Sequence, residues 1–392
     1  MAKGIRRRRH KNKAYKKSKG ETTINDLPDD LLDLILLRVD SPLCLVRATF
    51  ACKRFFRLIA DERFGSPAGG RPVVLGHYYD PGLEWSPLHR ISLPSGDPPF
   101  VPSSLDAFDG LCFSLDFLPF DQPRQLIDSR GSLLLFKQGP WGGMYQHFPD
   151  LIVCEPLTCR FQGIAHMPAP IGSMVFGGAY LIAGENTDGG MSMSNYRVFC
   201  VVGQLACVFS PGSDGGWRFV PVPDDDDDDG GEFHFPDDSD FAGRVAGKIY
   251  WGALKNGQLQ VLDESTVTFS TMHLPEHMWW AYNRSNFRVI GGMESGGLSG
   301  GGEWVVEKSV RLADTSIGLP GHKAEFFTLP AKIVTAGDGF VTLTTQEDET
   351  WVFSVDLETM ELEREHARNR YVAEAHPYAL PQLPSFLPVS VN

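Results

Sequence analysis

The sequence predicts an α+β multidomain chain: a small N-terminal helical unit followed by a large all-β domain, a β-propeller of roughly six or seven blades. Three observations carry this expectation. Gly and Pro are abundant, 41 and 28 of 392 residues, beside 26 Phe and 8 Trp. That composition favours many short strands joined by turns. The stretch Ile24–Ala60 is patterned for helices. Beyond Val73 a group of four short strands recurs.

The first twenty residues contain Lys3, Arg6, Arg7, Arg8, Arg9, Lys11, Lys13, Lys16, Lys17 and Lys19 and no acid. Residues 1–22 therefore read as a disordered basic tail, with Arg6, Arg7, Arg8, Arg9, Lys11, Lys13, Lys16 and Lys17 as a nuclear-import candidate. Nonspecific contact with nucleic acid, or simple solubility, are the other readings of such a cluster. The whole chain has a net charge of -13, so the body beyond this tail is strongly acidic. Phosphate would be repelled there, which disfavours nucleic acid as a partner.

In the helical stretch, Pro28 suits a first turn and Asp29 and Asp30 suit the positive end of the helix dipole. Leu31, Ile35 and Val39 fall near one line, Leu32 and Leu36 on a neighbouring one, and Leu34 and Leu37 elsewhere. The polar face shrinks to Asp30, Asp33 and Arg38. "DSP" (Asp40–Pro42) breaks the chain, and a second helical run carries Leu43, Val46, Phe50, Phe55, Leu58 and Ile59. A unit this small cannot cover so much apolar surface by itself. Either the β-rich part of the chain or a partner protein must cover the rest.

"GSPAGGRP" (Gly65–Pro72) reads as a linker, and residues 73–392 as the β-domain. "GSLLLF" (Gly131–Phe136) with "DLIVCEPLTCRFQGIAHMP" (Asp150–Pro168) gives strands, a tight turn and a proline stop. Phe241–Pro275 repeats the plan with turns at "KNG" and "DEST", and Ile333–Arg364 with turns at "GDG", "QEDE" and "LETM". "PDDDDDDGG" (Pro223–Gly231) and "GGMESGGLSGGGEW" (Gly291–Trp304) read as surface insertions.

Gly297-Leu298-Ser299-Gly300-Gly301 matches G-x-S-x-G, but it lacks the strand and helix that hold a nucleophilic serine on a strained turn. Cys154 and Cys159 are five apart with no histidine pair at finger spacing, and Pro275 separates His273 from His277. The run Asp224–Asp229 lacks the spaced ligands of a calcium loop. No metal, cofactor or catalytic residue is expected. Trp251, Trp304 and Trp351 read as propeller core. Trp279 and Trp280 are the substrate-binding candidates, because neighbours on a strand face opposite ways. Seven cysteines without C-x-x-C spacing fit reduced thiols. The apolar run is too short to span a membrane. The expectation is a soluble protein of the nucleus, the cytoplasm or both.

Leu27–Phe64, "LPDDLLDLILLRVDSPLCLVRATFACKRFFRLIADERF", resembles the F-box. The resemblance rests on Leu27-Pro28, Leu31, Ile35-Leu36, Arg38-Val39, Leu43, Arg47, Cys52-Lys53, Phe55 and Leu58-Ile59. Phe55 stands where the family commonly has Trp, and Ala51 where it has Val. The resemblance implies an F-box over residues 24–64 that binds a Skp-family adaptor and through it a cullin. The implied contacts are Leu27, Pro28, Leu31, Ile35, Leu36, Leu43, Val46, Lys53 and Phe55. "EPLTCRFQGIAHMP", "QLQVLDESTVTFSTMHLP", "WVFSVDLETMELE" and "HPYALPQLPSFLP" resemble the propeller or kelch-like domains that follow F-boxes in large plant families. The implied function is substrate recognition in an SCF-type (Skp–cullin–F-box) ubiquitin ligase, with no catalysis by this chain and an unidentified target protein. Rival readings are a binding scaffold outside any ligase, a β-propeller enzyme with an incidental helical unit, and a nuclear nucleic-acid binder.

Overall fold

Pro28 occupies the N-cap of the first helix, α1 (Asp29–Leu36), with φ -59° and ψ 150°. Its ring pre-sets that extended entry, and Asp29 and Asp30 fill the first turn. The computed structural model describes residues 27–39, 44–45, 48, 53–59, 74–80, 98–102, 113–118, 124–138, 148–167, 176–184, 191–203, 205–212, 216–221, 241–253, 257–276, 286–290, 308–337, 339–349, 351–364 and 374–379. The chain divides into two compact units, Met1–Phe64 and Gly65–Asn392.

In the first unit α1 packs on a second helix, α2 (Lys53–Ile59). Leu32, Leu36 and Ile59 are its buried apolar side chains. Arg54 on α2 donates through Nε to Asp29 Oδ1 at 2.6 Å and through Nη2 to the Leu27 carbonyl. That pair of bonds fixes the entry of α1 against α2. Two expectations need correcting. The helix stops short of Val39, because Arg38 and Val39 bond three residues back, to Ile35 and Leu36, and tighten the last turn. Asp33 is buried rather than part of an exposed polar face, since it shares the α1 flank of Leu32 and Leu36.

The second unit contains the strands β1 (Val74–Asp80), β2 (Phe100–Pro102), β3 (Arg124–Arg130), β4 (Leu133–Gln138), β5 (Asp150–Glu155), β6 (Arg160–Gly163) and β7 (Phe176–Ala183). They continue as β8 (Tyr196–Val202), β9 (Leu205–Phe209), β10 (Trp217–Val220), β11 (Phe241–Val245), β12 (Lys248–Ala253), β13 (Gln258–Asp263) and β14 (Thr268–His273). The last are β15 (Lys332–Gly337), β16 (Phe340–Thr344), β17 (Val352–Asp356), β18 (Leu362–Arg364) and β19 (Glu374–Ala379). They form four antiparallel four-stranded sheets, β3–β6, β7–β10, β11–β14 and β15–β18, plus a three-stranded sheet of order β19-β1-β2. These are five propeller blades, named here first to fourth and closing. β3, β7, β11, β15 and β19 are the inner strands, and β3 contacts both β7 and β19 while β15 contacts β19.

Among the described residues five blades stand in place of the expected six or seven. The strand-bearing segments have the expected size, but the count assumed that blades follow one another without gaps. Here residues 103–123, 221–240 and 274–331 separate the described strands. Part of the last stretch folds onto the fourth blade: a short helix, α3 (Leu312–Thr315), and following turns bring Leu312, Leu319, Phe326 and Phe327 against Trp351 and Phe353. Trp351 Nε1 donates to the Pro320 carbonyl at 3.0 Å.

Blade faces pack on blade faces. Leu133, Leu135, Leu151 and Val153 of the first blade meet Ala179, Leu181, Val198 and Cys200 of the second. Tyr180, Phe199, Val201 and Val208 of the second meet Ile249, Trp251 and Leu262 of the third. Trp251 is fully buried and donates from Nε1 to the Tyr180 hydroxyl at 3.0 Å. In the closing blade the rings of Tyr78, Phe100, Phe113 and Tyr378 cluster, and the Tyr78 hydroxyl donates to the Phe113 carbonyl.

A bulge recurs near the start of each blade's pairing. The register shifts at Leu126/Asp128 in β3, Phe176/Gly178 in β7, Phe241/Gly243 in β11, Ile333/Thr335 in β15 and Val74/Gly76 in β1. A bulge adds twist and re-aims the side chains that follow it.

Candidate functional site

Two surfaces carry functional potential, one in each unit. On α1 the i, i+3 and i+4 positions Leu31, Leu34 and Ile35 form an apolar strip that is 48%, 54% and 51% exposed, with Leu37 47% exposed beyond it. Leu32 and Leu36 form the neighbouring, buried line. The apolar character on nearly every side of this helix thus has two destinations. One line closes on the unit itself, and the other is left to solvent, where contiguous apolar surface marks interaction sites.

The second surface is a cavity of about 240 Å3 where the inner strands converge. β3 contributes Gln125–Ser129, β11 Phe241, Gly243 and Arg244, β15 Val334–Gly337, and β19 Ala375–Pro377. Tyr180 of β7 and the segment Arg288–Ile290 complete it. That segment runs alongside β11: Val289 N donates to the Ala242 carbonyl at 2.8 Å, and Val289 bridges Gly243 in parallel fashion. Gly243 has φ +147°, and a Cβ there would lie 2.1 Å from the Val289 carbonyl oxygen. Only glycine permits this approach.

At the cavity wall a charged network crosses three blades. Arg244 Nη2 reaches Asp128 Oδ2 at 3.1 Å, and its Nε reaches Glu264 Oε1 at 3.2 Å. Asp128 Oδ2 also accepts Leu181 N–H at 2.6 Å. Glu264, in the β13–β14 turn, is paired with Arg130 as well. Arg197 Nε donates to the Ala183 carbonyl at 2.7 Å and its Nη2 to the Glu264 carbonyl at 2.8 Å. Burial alone would pull the Arg244 guanidinium down, but attraction to Asp128 and Glu264 carries it above its ordinary value. Arg130 goes the other way: burial, then repulsion from Arg244, outweighs Glu264.

His77 lies behind this wall, between the rings of Tyr79 and Phe340. Burial, with a smaller contribution from His376, lowers its pKa to about 4, so the imidazole is neutral at neutral pH. His376 lines the cavity and is itself buried, its Nε2 without a hydrogen-bond partner.

No family model matches the chain, and no curated protein matches it. Among solved structures it is similar to apo AztD from Citrobacter koseri, at 9% identity and a TM-score of 0.22, covering 67% of this chain and 51% of that one. It is also similar to a crystal structure of Citrobacter koseri AztD, at 10% identity and a TM-score of 0.20, covering 66% and 61%. The chain thus spans about half the length of the first and 61% of the second.

The residues named from sequence fall as follows. Leu31 and Ile35 are exposed together on α1, Pro28 is exposed, Leu27 and Phe55 are half-buried, and Leu36 is buried. Lys53 opens α2. Leu43, Val46, the basic cluster from Arg6 to Lys17, and Trp279 and Trp280 lie outside the described residues, as do Trp304, Ser299 and Asp224–Asp229. Trp251 and Trp351 are buried in blade packing. Cys154 is buried and Cys159 exposed. His273 Nε2 shares a hydrogen bond with Gln258 Nε2 at 3.0 Å. Among the described residues, no group of His, Cys, Asp and Glu could hold a metal ion. No helix among them is long and apolar enough to cross a membrane. Sequence reasoning missed Asp128, Arg244, Glu264 and His376. Their one local signal is charge inside an apolar strand run, as in "RQLIDSR" and "FAGRV".

Proposed function

We propose that this chain is the substrate-recognition subunit of an SCF-type ubiquitin ligase. Residues 24–64 act as an F-box that docks on a Skp-family adaptor, and through it on a cullin. The propeller captures a target protein and presents its lysines for ubiquitination. The chain carries out no bond chemistry and contributes proximity. It works in the nucleus, the cytoplasm or both, with the basic tail as the import signal.

The observation that supports this reading most directly is the exposed Leu31, Leu34, Ile35 strip, backed by a helix already anchored through Leu32 and Leu36. Pre-ordering the helix lowers the entropic cost of docking. Truncating one anchor of such a strip costs about 1–4 kcal/mol of binding.

The test is capture of a purified Skp-type adaptor by the full chain, followed by reconstitution with cullin and conjugating enzyme. Saturable adaptor binding, lost with Leu31→Asp plus Ile35→Asp, is the expected result. Binding that ignores both substitutions would refute the F-box reading. Adaptor binding with no ubiquitin transfer to any co-purified protein would favour the scaffold instead.

A further inference from the structure

We propose that the cavity at the convergence of the inner strands binds a small uncharged carboxamide, its carbonyl accepting from His376 Nε2 and its N–H donating to Gln125 Oε1. This site is independent of the adaptor-binding face. Its first support is charge. Arg244 is held between Asp128 and Glu264, and Glu264 is paired with Arg130 as well. Two guanidinium groups thus meet two carboxylates. Arg288, the other guanidinium of the lining, donates to the Phe287 carbonyl at 2.8 Å and is engaged besides. A charged ligand would have to break one of these pairings, and removing one partner of a buried pair leaves the other uncompensated. An uncharged ligand leaves them intact.

The second support is the buried polar atoms of the wall. His376 Nε2 and Gln125 Oε1 belong to residues that line the cavity, and both are buried without a hydrogen-bond partner. They come from β19 and β3, which are inner strands in contact. Buried polar groups are normally bonded, so two such atoms at one cavity call for an occupant. A neutral imidazole and a primary amide can each present a donor or an acceptor, by tautomer or by flip. A carboxamide carries both kinds of group on one carbon and can satisfy either arrangement. An ester carries acceptors alone, and an ammonium donors alone.

The third support is size and construction. About 240 Å3 is room for roughly eight waters at their liquid volume, enough for an amide on a short chain or a single ring. Leu126, Phe241, Val289 and Val334 supply apolar wall for that body. Val289 is brought there by its bond to the Ala242 carbonyl and its bridge to Gly243, the close approach that a Cβ on residue 243 would prevent. Water alone would satisfy the two polar atoms but gain nothing from that apolar wall.

The test uses the full-length protein, calorimetric titration, and probes matched in shape: benzamide and hexanamide, each against its methyl ester and its carboxylate. At least one amide should bind saturably, with its ester and its acid each about tenfold weaker or more. Gln125→Leu removes the acceptor for the amide N–H, so it should weaken the amide about tenfold while the ester changes little. The wild-type comparison stands even if the variant fails to fold. The proposal is overturned by absence of saturable binding of either amide, which would leave the cavity to water. It is also overturned by an ester or an acid that binds as well as its amide, or by a folded Gln125→Leu that prefers amide to ester as strongly as wild type.

Discussion

Asp128 and Arg244 stand 116 positions apart in the chain, yet Arg244 Nη2 lies 3.1 Å from Asp128 Oδ2. Their contact joins the inner strands of the first and third blades across the ring. Glu264 pairs with Arg244 and accepts the Ala183 backbone N–H of the second blade at 3.4 Å. A packed apolar cluster joins one blade to the next. This ionic cluster joins three.

Arg244→Ala leaves two buried carboxylates without their shared cation, and breaking such a pair costs about 3–5 kcal/mol. All eight tryptophans lie beyond residue 65, so tryptophan fluorescence follows the propeller unit alone. The urea midpoint read this way should fall strongly for Arg244→Ala. Asp128→Asn, which keeps an oxygen for Leu181 N–H, should lose less than Asp128→Ala.

On α1, Ile35→Ala and Leu36→Ala should separate. Leu36 is buried, and its truncation should destabilise the helical unit by about 2–5 kcal/mol. Ile35 is half exposed, so its truncation should leave helix stability nearly unchanged and weaken adaptor binding by about 1–4 kcal/mol. Circular dichroism of the full chain and adaptor titration together check both arms.

His77 should shape the acid limb of stability. Its native pKa of about 4 lies below the 6.5 of a free imidazole. Between those values the unfolded chain binds a proton that the native chain refuses. The contribution of neutral His77 is thus complete above pH 6.5 and is lost as pH falls towards 4, by an amount on the order of 3 kcal/mol. His77→Phe retains a ring against Tyr79 and Phe340 but cannot titrate. Its urea midpoint should fall less steeply than wild type between pH 6.5 and 4.

Trp351→Phe removes the donor that holds the Pro320 carbonyl. The loss should be about 1 kcal/mol overall, but concentrated in residues 312–327. Hydrogen exchange of that segment should accelerate while exchange in β12 and β13 stays at the wild-type rate.

How much of this was legible in the sequence follows from which physical signals are local. The third and fourth blades read clearly, because their turns at "DEST", "GDG" and "LETM" punctuate the strands. Asp263 Oδ1, for example, accepts Ser265 and Thr266 N–H within its own turn. The second blade did not. β8, Tyr196–Val202, is buried along its whole length, so it shows none of the alternation that marks a half-exposed strand. The blade count differs because residues 274–331 separate the described strands of the third and fourth blades, and a count by spacing assumes that blades follow one another directly. The apolar strip on α1 was visible as excess grease, whereas its division into Leu31, Leu34 and Ile35 outside and Leu32 and Leu36 inside depends on where α2 packs. The Asp128–Arg244–Glu264 cluster had only a faint local signal, a charge inside an apolar strand run, because its partners come together from the first and third blades.

The closing blade takes β1 and β2 from the start of the unit and β19 from its far end, with Ala379 N donating to the Gly131 carbonyl at 2.9 Å. During translation β1 and β2 emerge early and wait without their inner strand until Glu374–Ala379 leaves the ribosome. A premature stop codon anywhere before Glu374 therefore yields an open arc with bare strand edges, a target for chaperones and proteases. Nonsense alleles that stop ahead of Glu374 should behave as nulls.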